Sequence, residues 1–235
     1  MLDCFGINVS SDEIRRWTEL TGRAPIPDWA LKPYDERSSL WRRMAKHFLR
    51  HHLPVPAVDL DEKRVMELGC GMGQNAGILL GRVGKYVGLD ISVSCVAMAR
   101  FAFARETRAS FLHTVHDLGE IMHLRGVVDL VFGRYFFIHQ PPERVRPMME
   151  FAHTMLRPGG LLAIDRQIRQ FPWKLNPDEE WVPGSGWWGF VHEREWLDWQ
   201  LRDAGFDDVR FLPSGLHVRS LDSDAVLELV TARRL

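Results

Sequence analysis

The sequence predicts an α/β fold, a mostly parallel sheet with helices on both faces. Three observations predict it. From Arg64 onward, short apolar runs alternate with longer stretches of helical periodicity, the pattern of strands joined by crossover helices. One apolar run ends in an acid and three alternate glycines, Glu67-Leu68-Gly69-Cys70-Gly71-Met72-Gly73. The last two runs are joined by a stretch too short for a typical crossover helix, which makes them antiparallel neighbours.

The elements follow in order. Strands are predicted at about 65–68, 86–89, 110–115, 128–132, 161–164, 209–212 and 225–232, with helices at about 75–82, 93–105, 142–156 and 193–204. Leu156-Arg157-Pro158-Gly159-Gly160 stops one helix and turns the chain into the next strand. Ahead of the sheet, Ser10 and Glu13 have the spacing of a capping box for a helix reaching about residue 20. A second helix is predicted over 38–52, stopping before Pro54. The chain divides into an N-terminal helical segment, 1–60, and a sheet domain, 61–235, with an aromatic insertion at 166–192.

Composition narrows the function. A net charge of −1 supplies no basic field to recruit nucleic acid or an anionic membrane. No apolar run reaches the 18 residues of a membrane span, and MLDCFGINVSSDE has neither the basic start nor the apolar core of a signal peptide. Three cysteines without a C-x-x-C pair form neither a disulfide framework nor a metal site. A cytoplasmic protein without bound metal is expected, monomeric or homodimeric.

The glycine run is where chemistry is expected. Glycine permits positive φ and close approach of the backbone to a ligand. A strand, glycine turn and helix in series form the nucleotide crevice of an open α/β sheet. A dinucleotide fingerprint, G-x-G-x-x-G, would need glycine where Gln74 stands, which disfavours an NAD-dependent oxidoreductase. Asp90, seventeen positions after Gly73 and at the end of the run Tyr86-Val87-Gly88-Leu89, is placed to accept both hydroxyls of a ribose. Ser92 is a natural N-cap for the next helix.

Glu67 to Gly73 resembles motif I of the class I S-adenosylmethionine-dependent methyltransferases, E/D-x-G-x-G-x-G. Gly88-Leu89-Asp90-Ile91-Ser92 resembles their motif II. His116-Asp117-Leu118 is similar to their GDA element, with His and Leu in place of the usual Gly and Ala. Asp129 to His139 resembles motif IV, with Ile138 where the first His of a pair usually stands. The resemblance implies a Rossmann-like, seven-stranded sheet with an antiparallel last strand and an N-terminal helical lid. It implies S-adenosylmethionine as cofactor and S-adenosylhomocysteine as product. The cofactor would be held by Glu67 near the methionine amino group and by the turn Gly69, Cys70, Gly71, Gly73 and Asn75. Asp90 and Ile91 would serve the ribose, Asp117 and Leu118 the adenine, Arg134 the methionine moiety, and Tyr34 would reach in from the lid. No chemical role is assigned to the Cys70 thiol.

A hydroxyl or ammonium acceptor needs a base to take its proton, and His139, just past the strand end, is the candidate. Tyr135, Arg166, Trp187, Trp188 and His192 are the candidates for acceptor contacts. Arg166, Arg134 and His192 have the chemistry to meet a carboxylate or phosphate. The aromatic insertion either closes over the acceptor or packs as a surface flap. The resulting expectation is methyl transfer to O or N of a small molecule, carboxylate-bearing or a specialised metabolite. The rivals are a non-catalytic cofactor-binding or scaffold protein and, less favoured, a nucleic-acid methyltransferase. Gly133-Arg134-Tyr135-Phe136 lacks the N/D-P-P-Y/F motif of adenine- and glutamine-directed relatives.

Overall fold

The computed structural model describes residues 1–23, 31, 34–35, 60–168, 190–217 and 226–235. The expected helix at 38–52, Trp187 and Trp188 lie outside them. Seven strands form one sheet: β1 (Arg64–Leu68), β2 (Lys85–Asp90), β3 (Ala109–His113), β4 (Val128–Gly133), β5 (Leu156–Gln167), β6 (Phe206–His217) and β7 (Val226–Arg234). Their order is β3-β2-β1-β4-β5-β7-β6. β1 to β5 pair in parallel, and β7 runs antiparallel to both β5 and β6. This is the Rossmann-like sheet with one reversed strand. Its order turns about between β1, which leads outward to β2 and β3, and β4, which leads the other way. A crevice at the strand ends is expected at such a reversal.

Alternate residues of each strand point to opposite faces, and the sheet uses both. Met66, Leu68, Val87, Leu89 and Val131 join a core beneath α5 (Pro142–Met155) and α6 (Arg194–Asp203), which contribute Val145, Met149, Ala152, Leu197 and Leu201. Val65, Tyr86, Leu130 and Phe132 join the other core, beneath α2 (Gln74–Leu79) and α3 (Val93–Ala102). The predicted elements fall in place with shifted ends. The helix expected at 75–82 is a short Gln74–Leu79, and β5 and β6 extend well beyond the runs expected at 161–164 and 209–212. One short helix, α4 (Leu118–Met122), was not expected.

The N-terminal helix is α1 (Ser11–Arg23). Half of the predicted capping box forms, with the Glu13 N–H donating to Ser10 Oγ at 3.0 Å. The Glu13 carboxylate turns away from the cap and takes both guanidinium nitrogens of Arg144, at the start of α5. Ser94 Oγ donates to the Thr18 carbonyl, tying α1 to α3. Residues 1–9 close on themselves through a Leu2–Asn8 bridge and dock when Cys4 N–H donates to the Thr114 carbonyl past β3. Among the described residues, no helix is long and apolar enough to cross a membrane, and no group of three or more His, Cys, Asp or Glu could hold a metal.

Met149 is fully buried between α5 and the sheet. Met149→Ala is expected to cost about 2–5 kcal/mol by the lost burial and the cavity left behind, read from denaturant unfolding. A loss below about 1 kcal/mol would show that this core collapses to fill the space.

Candidate active site

The turn after β1 is shaped by its glycines and tied to the end of β2. Gly69 has φ +71°, and a side chain there would meet the Phe136 ring at 2.5 Å. Gly73 has φ +87° and stands against Phe103 and Phe111. The N–H groups of Gly69 and Cys70 both donate to the Leu89 carbonyl, at 2.8 and 3.0 Å. One oxygen of Asp90 then accepts the Gly71 N–H and the other accepts the Ser92 N–H, each at 2.8 Å. The Asp90 carboxylate is therefore oriented by backbone alone. Each oxygen keeps lone-pair capacity for a further donor. Burial raises its pKa above the usual carboxylate value, against the lowering by those N–H groups.

His113 organises the neighbouring strand end. Its Nδ1 faces the N–H groups of Val115 and His116, both at 3.2 Å, so Nδ1 accepts and the proton resides on Nε2. Nε2 then donates to the Ile91 carbonyl at 2.9 Å. This arrangement requires a neutral ring. Burial, and next the charge of His116, lower the His113 pKa and favour that form.

A cavity of about 550 Å³ opens above these strand ends, beneath α1. Gly69, Leu89, Asp90, Ile91, Thr114, Tyr135 and Phe136 form its floor. Asp3, Phe5, Ser10, Asp12, Glu13, Arg16 and Trp17 cover it, and His139, Gln140, Pro141, Arg144, Met148 and Phe190 close its side. Of the residues singled out in the sequence, Gly69, Asp90, Ile91, Tyr135 and His139 thus share one space. The His139 ring meets the Trp17 ring edge-on at 5.9 Å. Tyr135 holds φ +53°, rare for a residue with a side chain. Its N–H donates to both oxygens of Asp165, at 3.0 and 2.7 Å. That clamp fixes the ring at the cavity floor.

Other residues are placed differently. Glu67 is 1% exposed beneath the glycine turn and accepts from the Tyr86 hydroxyl and from Asn75 Nδ2. Burial raises its pKa to about 7, with Tyr86, Asn75 and Arg134 pulling it down and Asp90 adding to the rise. Glu67 and Asn75 therefore support the turn from below, off the cavity wall. Cys70 sits under the turn beside Gly88, and burial pushes its thiol well above the ordinary value, which disfavours the thiolate. Asp117 Oδ2 takes Arg100 Nη2 at 2.7 Å and the His113 N–H at 2.6 Å, and Leu118 packs toward the core beneath α5. Tyr34 stacks on Phe103 at 4.9 Å and donates its N–H to the Ala102 carbonyl, which sets it against the end of α3.

Arg166 and His192, expected at the acceptor, are committed elsewhere. Arg166 Nε pairs with Glu228 at 2.6 Å and Nη1 donates to the His192 carbonyl, while His192 Nε2 lies 3.2 Å from the Phe137 carbonyl. Both are buried behind the 137–140 turn, so neither meets a carboxylate in the cavity. Arg134 stacks over the Tyr135 ring at 4.8 Å, and its charge lowers the pKa of both Glu67 and Asp165. The end of the aromatic insertion does reach the site. Gln167 bridges Val191, and Phe190 N–H donates to the Ile138 carbonyl and its residue lines the cavity. The resemblance implied a lid from residues 1–60, but no residue of 1–17 was singled out for the site, and the capping-box spacing was the one local signal there.

The sheet order, the reversal beside β1 and the glycine turn bonded to Asp90 form the Rossmann-like architecture that the sequence implied. A methyltransferase-domain family model matches residues 65–160. An uncharacterized methyltransferase of Synechocystis sp. is 27% identical over 168 residues, covering 68% of this chain and 74% of that protein. A carboxy-S-adenosyl-L-methionine synthase of Chromohalobacter salexigens is 31% identical over 124 residues, covering 49% of this chain and 42% of that protein. The fold of an S-adenosylmethionine-dependent methyltransferase from Methanosarcina mazei superposes with a TM-score of 0.57 at 17% identity, over 79% of this chain and 99% of that one. Residues 65–160 thus match a methyltransferase domain, on a fold shared with S-adenosylmethionine-dependent methyltransferases.

The buried Glu67 carboxyl gives a sign-defined test. Below its ordinary value of 4.5 it is protonated folded and unfolded; above that the unfolded carboxyl ionises first, while the folded one holds its proton to about 7. Its contribution to stability is therefore complete below 4.5 and is lost as pH rises to about 7. Relative to Glu67→Gln, the wild-type melting temperature should fall across that interval and run parallel above it. Parallel curves throughout would show an ordinary Glu67 pKa.

Proposed function

We propose that this chain transfers a methyl group from S-adenosylmethionine to an O or N atom of a small molecule held in the cavity beneath α1. The observation that carries the reading is Asp90, aimed by the Gly71 and Ser92 N–H groups onto the wall of a cavity that also holds His139. The cradle fits the cofactor: a side chain at Gly71 would meet nothing within 4 Å, so a ligand can lie over the turn. The cofactor supplies an electrophilic methyl on a sulfonium, displaced in line by the acceptor atom.

In this reading the residues divide the work. Asp90 accepts the ribose hydroxyls, and Gly69 and Ile91 offer backbone along the same wall. Gly71 leaves room and Gly73 lets Phe103 and Phe111 close against the turn, while Glu67, Asn75 and the buried Cys70 hold the turn rigid. Asp117 and Leu118 flank the adenine end, His113 keeping that end in register through Ile91 and Val115. Tyr135, set by Asp165 and stacked under Arg134, borders the reacting atoms. His139 takes the proton of a hydroxyl or ammonium acceptor, its ring positioned by Trp17. The cover of Phe5, Trp17 and Phe190 excludes water, which favours alignment and transfer over hydrolysis.

Calorimetric titration with S-adenosylmethionine and S-adenosylhomocysteine tests the cofactor. Asp90→Ala should weaken both by about 1.5–3 kcal/mol, roughly ten- to a hundredfold. An undiminished affinity would remove Asp90 from the site. Once an acceptor is found with labelled methyl donor, His139→Gln should lower kcat by about 10²–10⁴ with cofactor affinity unchanged. A kcat within about twofold of wild type would leave the acceptor without a base at this position.

A further inference from the structure

One carboxylate at the cavity has no part in holding the fold's strand ends and is 6% exposed: Asp3. Its Oδ1 accepts the N–H groups of Phe5 and Ile7, at 3.0 and 2.9 Å, closing a tight turn. The next residue, Cys4, is bonded to Thr114 beyond β3. Asp3 is therefore held as rigidly as a strand-borne residue. Its Oδ2 takes no hydrogen bond among the described residues, and it is not one of the polar atoms sealed in the interior without a partner. Asp3 lines the cavity, and Oδ2 is the oxygen that its turn leaves available to a ligand.

The charges around it set the sign of a ligand. Glu13 and Arg144 neutralise each other across the cavity wall through two hydrogen bonds. The wall as a whole carries four carboxylates, Asp3, Asp12, Glu13 and Asp90, against the two guanidiniums Arg16 and Arg144. A carboxylate or phosphate would enter a space already negative in balance. A hydrogen-bond donor or cation is favoured there. The remaining lining near α1 is aromatic, from Phe5, Trp17 and Phe190, and ring faces attract ammonium groups.

We propose that Asp3 anchors the methyl acceptor by accepting a hydrogen bond from its amine through Oδ2, so that the acceptor is an amine-bearing molecule with an apolar or aromatic body. The inference rests on the methyl-transfer reading and adds to it the acceptor's chemical class. It replaces the carboxylate-bearing acceptor expected from Arg166 and His192, which are occupied behind the site. The charges facing Asp3 agree with it. Burial raises the Asp3 pKa, Arg144 lowers it and Glu13 raises it, and an arriving ammonium would stabilise the ionised form.

The test uses the full chain saturated with S-adenosylhomocysteine and a matched pair of probes, phenethylamine and phenylacetate, titrated by calorimetry and by thermal shift. Phenethylamine should bind and raise the melting temperature, and phenylacetate should not. Asp3→Asn keeps an oxygen for the Phe5 and Ile7 N–H groups and replaces the open acceptor with a donor. It should weaken phenethylamine at least about tenfold while S-adenosylhomocysteine binds as in wild type. Asp3→Ala, which also removes the turn, serves as a check on folding by its own melting temperature. Preference for phenylacetate, absence of phenethylamine binding, or phenethylamine binding unchanged in Asp3→Asn would overturn the proposal. So would a loss confined to S-adenosylhomocysteine in Asp3→Asn, which would make Asp3 a cofactor contact. Failure of the wild-type protein to bind S-adenosylhomocysteine at all would instead sink the methyl-transfer reading.

Discussion

The Asp90 carboxylate is where the backbone of the glycine turn and the end of β2 become one rigid piece. Gly71 N–H reaches one oxygen and Ser92 N–H the other, while the Leu89 carbonyl gathers the two N–H groups at the start of the turn. Burying such a carboxylate is costly unless its oxygens are satisfied. Two backbone donors meet most of that requirement without using a cation. An arginine in their place would have filled the space a ligand needs. The same economy explains Glu67, which is satisfied from below by Tyr86 and Asn75 so that the top of the turn stays open.

The second half of the site comes from far away in the chain. Glu13 and Arg144 are 131 residues apart and meet in a fork-to-fork pair, a geometry with more specificity than a single contact. Their side chains are about a quarter exposed, so water screens the pair only in part. Hydrogen bonding to Glu13 is the main reason the Arg144 pKa is raised. With Trp17 set against His139 and Thr18 accepting from Ser94, α1 is held at three separate points over the strand ends, and the segment before it is docked by Cys4 on Thr114.

The sheet was legible because its central strands β1, β2 and β4 are buried on both faces, leaving short apolar runs that stand out between helical stretches. α4 was not, since five residues are too few to show a helical period. β6 outruns its apolar segment because it lies at the sheet edge, where polar residues such as Asp207 and Arg210 can pair in the ladder and still reach water. In the site, Asp90 and the glycines could be read because their spacing is local. Glu67 could be seen as an acid at the turn, but not which way it faced: strand alternation puts it on the α2 side with Val65, away from Met66 and Leu68. Arg166 was read as a free charge because its partner Glu228 is on a strand that becomes its neighbour only after the whole sheet has closed. Asp3 carries no motif, and its place depends on a backbone bond to Thr114.

Arg134 stands between two acids, each with a carboxyl raised to about 7 by burial and lowered by the same guanidinium. Its single positive charge acts on both and favours the ionised form of each. Any cationic ligand brought over this part of the sheet adds a second positive charge to that balance. Such a ligand would favour the ionised form of both carboxyls, so its binding would release protons and would tighten as pH rises toward 7.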